Sequence, residues 1–411
     1  MKKILVTAET VLPISSPPLN KAAVLIADGK IREVGKAATL KKTYKSIKTV
    51  DLGKGILLPG FVNGHTHLEL GWTKNRIGNF GGFIEWLEQI IIAKTEEVTI
   101  EEIELSVEAG IKSLIESGVT TVGEISSYGG MDKPLLQKSG LRTILFRELF
   151  DRHNDFWKTV SFDKDERVEE RPFPHSSYSC TPDFLKKVSR FSREKEIPLG
   201  IHLAESVDEL NFLRGEENGF EKKIFPMVGK EAFARENAHT PFQYLKKLGT
   251  FERAKVTLVH MVQVSQEDVE ELCKYDLGIV LCPRSNFFLK VGSPPVDHYT
   301  KIERLGIGTD GLSSNFNLDF FEELRFFYLT FGNGLGKQAP FFTVYLATLG
   351  GAKALFLEEK IGSIEKGKDA DLIFIRPENP SPDPYLSVIS SSKDDLKLVM
   401  GKGKVIFNNG N

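Results

Sequence analysis

Cysteine is scarce: the 411 residues include three, Cys180, Cys273 and Cys282, with no CxxC pair. That excludes a disulfide framework and fits a reducing compartment. Long apolar runs are missing too, and nothing approaches the ~20 residues of a membrane span. The start, Met-Lys-Lys-Ile-Leu-Val-Thr-Ala-Glu9, is basic, but Glu9 interrupts its apolar run and no cleavage site follows. It reads as a first β-strand rather than a signal peptide. Neither charge sign is in surplus, with 54 Lys+Arg against 56 Asp+Glu. A chain built to grip the nucleic-acid backbone shows a basic excess or stripe, and this one does not. Repeats and low-complexity segments are lacking. At 41% hydrophobic and 27% charged residues, the chain is neither disordered, collagen-like nor coiled coil. The expectation is a cytoplasmic protein with no nucleic-acid or membrane partner.

The first 58 residues read as β. An apolar run at Ala22–Ala27 meets the turn dipeptide Asp28-Gly29 and resumes at Ile31–Val34, which is a hairpin signal. A further strand fits around Val50 and Leu52, before Pro59-Gly60 breaks the pattern. From there the texture alternates. Short apolar runs (Val119–Glu124, Arg142–Phe150, Pro198–Leu203, Val256–Met261, Gly278–Cys282, Gly306–Thr309) are separated by charged segments of helical spacing (Thr99–Ser117, Pro182–Lys195, Ser206–Arg214, Gln266–Tyr275). Strand–helix alternation argues for βαβ units and a parallel sheet. The stretch is long enough for a (β/α)₈ barrel, typically about 250 residues. An open doubly wound sheet is the competitor, but Gly78–Gly82 does not fit its GxGxxG turn. After Lys360 the chain returns to β, with a strand at Ala370–Ile375 and a hairpin in Leu396–Phe407. The economical reading is an α/β protein. Residues 59–359 form the barrel, and residues 1–58 and 360–411 meet in one small β domain.

Polar residues recur at the ends of the apolar runs. His65-Thr66-His67 follows Gly55–Asn63, and residues i and i+2 of a strand share a face. His202 closes Leu199-Gly-Ile-His202, His260 closes Val256-Thr-Leu-Val-His260, and Asp310 closes Gly306-Ile-Gly-Thr-Asp310. Buried polar groups without partners are costly, so strands that repeatedly end this way point to shared partners. The C-terminal strand ends of a barrel are where its active site lies. Imidazole and carboxylate without thiolate suit Zn²⁺, with Fe²⁺ or Mn²⁺ as alternatives.

His65-Thr-His67, His202, His260 and Asp310, in this order, resemble the amidohydrolase superfamily. The likeness runs from Pro59-Gly-Phe-Val-Asn-Gly-His65 to Gly362-Ser-Ile-Glu-Lys-Gly-Lys-Asp-Ala-Asp-Leu372. It implies a metal-binding (β/α)₈ barrel with a small β-sandwich made from both chain ends. Between Val119 and Phe150 the strand ends offer Glu124 and Glu148 but no Lys, so the bridging lysine of binuclear members is missing. His202-Leu-Ala-Glu205 resembles the His-x-x-Glu of the mononuclear deaminase branch. The resemblance implies that His65, His67, His202 and Asp310 bind one divalent ion per chain, that Asp310 takes a proton from water, that Glu205 shuttles protons, and that His260 polarises the water.

Further stretches, among them Gly82-Phe-Ile-Glu-Trp-Leu87, Phe146-Arg-Glu-Leu-Phe150, Cys282-Pro-Arg-Ser-Asn286 and Gly308-Thr-Asp-Gly-Leu-Ser-Ser-Asn315, are similar to the 6-aminodeoxyfutalosine deaminases of menaquinone biosynthesis. The implied reaction turns 6-aminodeoxyfutalosine into futalosine and ammonia. S-adenosylhomocysteine, methylthioadenosine, adenosine or guanine deamination and triazine hydrolysis are the alternatives on the same fold. A catalytically silent scaffold is the alternative from another class. Where that family shows His-Ala-Pro-Tyr, this chain has His175-Ser-Ser-Tyr178. His175 resembles its substrate-binding histidine. Trp86 is a candidate to stack on the substrate. Arg147 and Arg284 are candidates for a substrate carboxylate, with scaffold roles the alternative for each. The expected partner is a small nucleoside, and a homodimer is compatible with the sequence.

Overall fold

The computed structural model describes residues 3–78, 81–95, 98–153, 155–233 and 238–409. Five strands come first: β1 (Lys3–Val11), β2 (Leu19–Ala27), β3 (Lys30–Lys36), β4 (Lys48–Asp51) and β5 (Ile56–Pro59). Eight follow through the middle: β6 (Phe61–Thr66), β7 (Val119–Ser126), β8 (Arg142–Leu149), β9 (Val168–Pro174), β10 (Leu199–Leu203), β11 (Val256–His260), β12 (Leu277–Leu281) and β13 (Leu305–Ile307). Three close the chain: β14 (Leu372–Ile375), β15 (Leu396–Gly401) and β16 (Lys404–Asn408).

Both chain ends enter one sheet, ordered β16-β15-β14-β5-β1-β2-β3, with β4 also on β1. The β2–β3 turn places Asp28 at φ 55° and Gly29 at φ 74°, the left-handed pair that a two-residue hairpin needs. β4 and β5 pair with successive parts of β1, at Ile4–Thr7 and Thr10–Val11. Arg142, at the start of β8, reaches across to this unit and pairs with Asp369 at 2.7 Å and Asp371 at 3.1 Å.

The eight middle strands are parallel, in sheets β6-β7-β8-β9 and β10-β11-β12-β13. Backbone hydrogen bonds join the two sheets at both seams. The His202 N–H donates to the His175 carbonyl at 3.1 Å, and the Asp310 N–H donates to the His65 carbonyl at 3.1 Å. Gly308 makes the second seam possible, since a Cβ there would sit 2.7 Å from the His65 nitrogen. Val62, Ile144, Phe146, Phe173, Val259 and Val280 form a buried cluster between the strands.

Helices begin where their caps are. Thr99 and Glu102 form a capping box for Ile100–Glu116, and Ser265 with Asp268 does the same for Gln266–Leu272. Thr181 caps Pro182–Lys195, and Ser206 caps Val207–Arg214. Among the described residues no helix is long and apolar enough to cross a membrane.

Candidate metal and catalytic site

His65 lies on β6, His202 near the end of β10, and His260 ends β11. His67 and Asp310 follow β6 and β13. The chain bends sharply at these ends. Ala204, His260 and Asp310 have φ of 56°, 78° and 57°, a region costly for non-glycine residues and concentrated at functional sites. The bend at Asp310 is pinned by the Thr66 hydroxyl, which donates to its carbonyl at 2.9 Å.

The side chains converge. Asp310 Oδ1 is 3.5 Å from His65 Nε2 and 3.6 Å from His67 Nε2. The His202 ring centroid lies 5.1 Å from that of His65 and 5.5 Å from that of His67. Ligand atoms of His65, His67 and Asp310 lie within 4.8 Å of one another, as do those of His65, His202 and His260. His202 Nδ1 sits 3.0 Å from the His175 carbonyl, which can only accept. Nδ1 therefore carries the proton and Nε2 keeps its lone pair for the cluster. The Ser285 and Ser314 hydroxyls donate to Asp310 Oδ2 at 2.6 and 2.8 Å, and the Gly311 N–H donates to Oδ1 at 2.8 Å.

Burial favours the neutral form of His67 and His202. It pushes His67 down to about 3, helped by His65. It also takes His202, crowded by the other imidazoles, well below its usual range. His65 is fully buried, yet neither of its ring nitrogens has a hydrogen-bond partner. Orphaned buried polar groups of this kind are rare. A divalent cation coordinated by His65, His67, His202 and Asp310 fits them, because each supplies a nitrogen or oxygen lone pair.

Glu205 stands beside this cluster. It is 5% exposed, and its Oε1 is 3.4 Å from His260 Nε2. Burial, then the charges of Asp310 and Glu209, push its carboxyl well above the usual range. The site thus favours its protonated, acid form. His260 Nδ1 donates to Asn286 Oδ1 at 3.2 Å, which orients the ring. Burial brings His260 down to about 4.

His175 is close by, its ring 5.0 Å from that of His202. It stacks on Phe150 at 5.0 Å, and its Nδ1 meets the hydroxyls of Ser176 and Ser179 at 3.0 and 2.8 Å. Trp86 donates its indole N–H to the Ser313 carbonyl at 2.8 Å, three residues beyond Asp310. It joins the helix Phe83–Thr95 to the loop after β13.

The two arginines are not brought into the cluster. Arg147 donates to Glu170 Oε1 and to the Gly129 carbonyl, each at 2.7 Å. Strand alternation explains this. Glu148, the next residue on β8, approaches His175 Nε2 at 3.8 Å, so Arg147 faces the opposite side. Arg284 is held by Glu322 at 2.9 Å and Asn317 at 3.1 Å. Sequence reasoning noted Glu148 only as a strand end without lysine, and it passed over Glu209. The rule that found the histidines, a polar residue closing an apolar run, applies equally to Glu148.

The sequence pattern described as the amidohydrolase family matches residues 56–406. A 5-methylthioadenosine/S-adenosylhomocysteine deaminase of Moorella thermoacetica is 29% identical, covering 100% of this chain and 95% of that protein. The crystal structure of Helicobacter pylori aminofutalosine deaminase in complex with methylthio-coformycin superposes with a TM-score of 0.87 at 24% identity, covering 98% of this chain and 100% of that one. A zinc-bound adenosine deaminase from Xanthomonas campestris gives 0.81 at 23% identity, covering 98% and 92%.

Proposed function

The chain belongs to the amidohydrolase family, and on that premise we propose that it is a metal-dependent hydrolase that deaminates an adenine nucleoside. The observation that carries this reading is the pairing of an acid with a ligand set. Glu205, whose acid form burial favours, stands 3.4 Å from His260 beside the orphaned nitrogens of His65. His65, His67, His202 and Asp310 hold one ion, and Zn²⁺ suits their donor atoms best. When bound, such an ion acts as a Lewis acid and lowers the pKa of water to ~7.

Asp310, oriented by Ser285 and Ser314, accepts the proton of the attacking water. Glu205 donates its proton to the ring nitrogen next to the attacked carbon, which makes that carbon electrophilic. Left ionised, it takes the proton of the new hydroxyl as the carbonyl forms and passes it to the departing amine, and the proton held by Asp310 then restores Glu205 to its acid form. His260 presents Nε2 toward the attacking oxygen. His175, with its ring 5.0 Å from that of His202, and Trp86, tied to Ser313, are the residues we assign to substrate contact. Arg147 is committed to Glu170 and is withdrawn from that role. A silent scaffold would have no use for an intact ligand set with unpartnered nitrogens.

The reading extends to a cytoplasmic enzyme with a (β/α)₈ barrel at residues 59–359, flanked by a β unit from residues 1–58 and 360–411. The nucleoside we favour is 6-aminodeoxyfutalosine, giving futalosine and ammonia for menaquinone synthesis. The Helicobacter fold neighbour supports it. A second reading, methylthioadenosine or S-adenosylhomocysteine as substrate, is favoured by the name of the Moorella relative. Ammonia release by the zinc-loaded protein from 6-aminodeoxyfutalosine, methylthioadenosine, S-adenosylhomocysteine, adenosine, guanine and a triazine separates these. The highest kcat/KM is expected for 6-aminodeoxyfutalosine. Release from guanine or the triazine alone overturns the adenine-nucleoside reading.

A further inference from the structure

Glu209 and Ser177 have no part in the chemistry above, yet both are fully buried, each 0% exposed. Glu209 lies in the helix Val207–Arg214, one turn beyond Glu205. Its carboxylate turns back on the chain that leads into that helix. Oε2 accepts the backbone N–H of Glu205 at 3.0 Å, and Oε1 accepts the Ser177 hydroxyl at 2.5 Å. The same Ala204–Glu205 peptide is held on its other side. The Ala204 carbonyl accepts the N–H groups of Val262 at 2.8 Å and Gln263 at 2.7 Å, just after His260.

One peptide is thus clamped at both its N–H and its C=O, next to a residue in the left-handed region (Ala204, φ 56°). The clamp decides where the Glu205 side chain starts. Its donors come from the two flanking strand ends. The loop after β9 supplies Ser177, two residues beyond His175, whose carbonyl orients His202. The loop after β11 supplies Val262 and Gln263. A carboxyl that accepts two hydrogen bonds in a dry site forms a strong contact. The contact needs a hydroxyl at position 177, which proline, shown there by the resembling family, lacks.

We propose that Glu209 and Ser177 are positioning residues that hold Glu205 in place for proton transfer, with Ser177 locking the Glu209 carboxylate onto the Ala204–Glu205 peptide. This rests on the deaminase reading, in which the bond from ring carbon to nitrogen breaks and ammonia leaves carrying a proton from Glu205. If the leaving group is chloride instead, the carbon–chlorine bond breaks and the chloride leaves unprotonated. A displaced Glu205 must therefore slow amine loss more than chloride loss.

The test uses full-length, zinc-loaded Ser177→Ala, Ser177→Thr and Glu209→Gln. Each is assayed on the adenine nucleoside that the unaltered protein turns over and on its 6-chloropurine analogue, with kcat expressed per bound zinc. Misplacement by ~1 Å costs up to ~10²-fold. We expect Ser177→Ala to lose ~10-fold in kcat on the amine, and Glu209→Gln ~10²-fold, with KM nearly unchanged. On the chloride the loss should be several times smaller, and Ser177→Thr, which keeps the hydroxyl, should restore the amine rate. Equal losses on both substrates, a threonine variant no better than the alanine one, or unchanged kcat in Ser177→Ala overturns the proposal. Should Glu209→Gln fail to fold, the two Ser177 variants carry the test alone. If the unaltered protein deaminates no adenine nucleoside, the functional reading fails instead, which is a separate result.

Discussion

Replacing Glu205 with glutamine isolates the proton it carries. The side chain keeps its size and polarity, and the backbone N–H that Glu209 holds at 3.0 Å is untouched, so the amide occupies the place of the carboxyl. The glutamine can donate a hydrogen bond to a ring nitrogen but cannot give up a proton. Positioned acid–base catalysis is worth typically ~10²–10⁴-fold, or about 3–5 kcal/mol of barrier at ~1.4 kcal/mol per decade. Metal content should hold, because the ligand atoms of His65, His67, His202 and Asp310 are unaltered. Stability should not fall either. Burial and the nearby charges of Asp310 and Glu209 already disfavour ionised Glu205, and a neutral amide relieves them. The assay is kcat by ammonia release, KM, and zinc per chain by elemental analysis on one preparation. A kcat lowered by at least ~10² with KM and zinc unchanged is the expected result. Wild-type turnover, or loss of zinc, refutes the assignment of Glu205 as proton donor.

Removing a ligand should behave differently: His65→Ala is expected to lose bound zinc and activity together, and retention of one zinc per chain contradicts its role. Arg142→Ala leaves Asp371 buried without its cation, while Asp369 keeps Lys30 at 2.7 Å. Urea denaturation should show a loss of about 3–5 kcal/mol, and a loss under ~1 kcal/mol contradicts a buried tie between the chain ends and the middle strands. Glu323 is pushed up from 4.5 to about 7 by burial, against the opposing pull of Arg284. The native state therefore binds its proton more tightly than the unfolded one. Its contribution is full below pH ~4.5 and is lost as the pH rises toward ~7, about 3 kcal/mol in all. Glu323→Gln should lose less stability between pH 5 and 8 than the parent protein, and an identical pH slope contradicts this.

Hydrophobic runs and the charged segments between them made much of the fold legible. Thr99, Thr181, Ser206 and Ser265 each stand before a helical pattern, and each caps a helix. β9 was harder to see, because Glu169, Glu170 and Arg171 break its apolar run. In the folded chain Glu169 and Arg171 pair with each other at 2.6 Å, and Glu170 finds its partners remote in sequence. Glu170 is met by Lys133 and Arg147, and Arg171 donates to the Leu355 carbonyl. The site histidines were legible because an imidazole at the end of a buried strand contrasts with what precedes it. The side Arg147 faces was not legible, because a charged residue within Phe146–Phe150 looks equally conspicuous on either side of the strand. The clamp around Glu205 could not be read locally, since it joins Ser177 to Glu209 across 32 residues.

The central claim is that one bound metal ion makes this chain a deaminase of adenine nucleosides. Its most direct test is a titration of Zn²⁺ into chelator-stripped protein, with deamination of an adenine nucleoside followed at each step. Activity should rise from nothing in proportion to added zinc and level off at one equivalent per chain. A break at two equivalents, or zinc that binds fully without any deamination, contradicts the account.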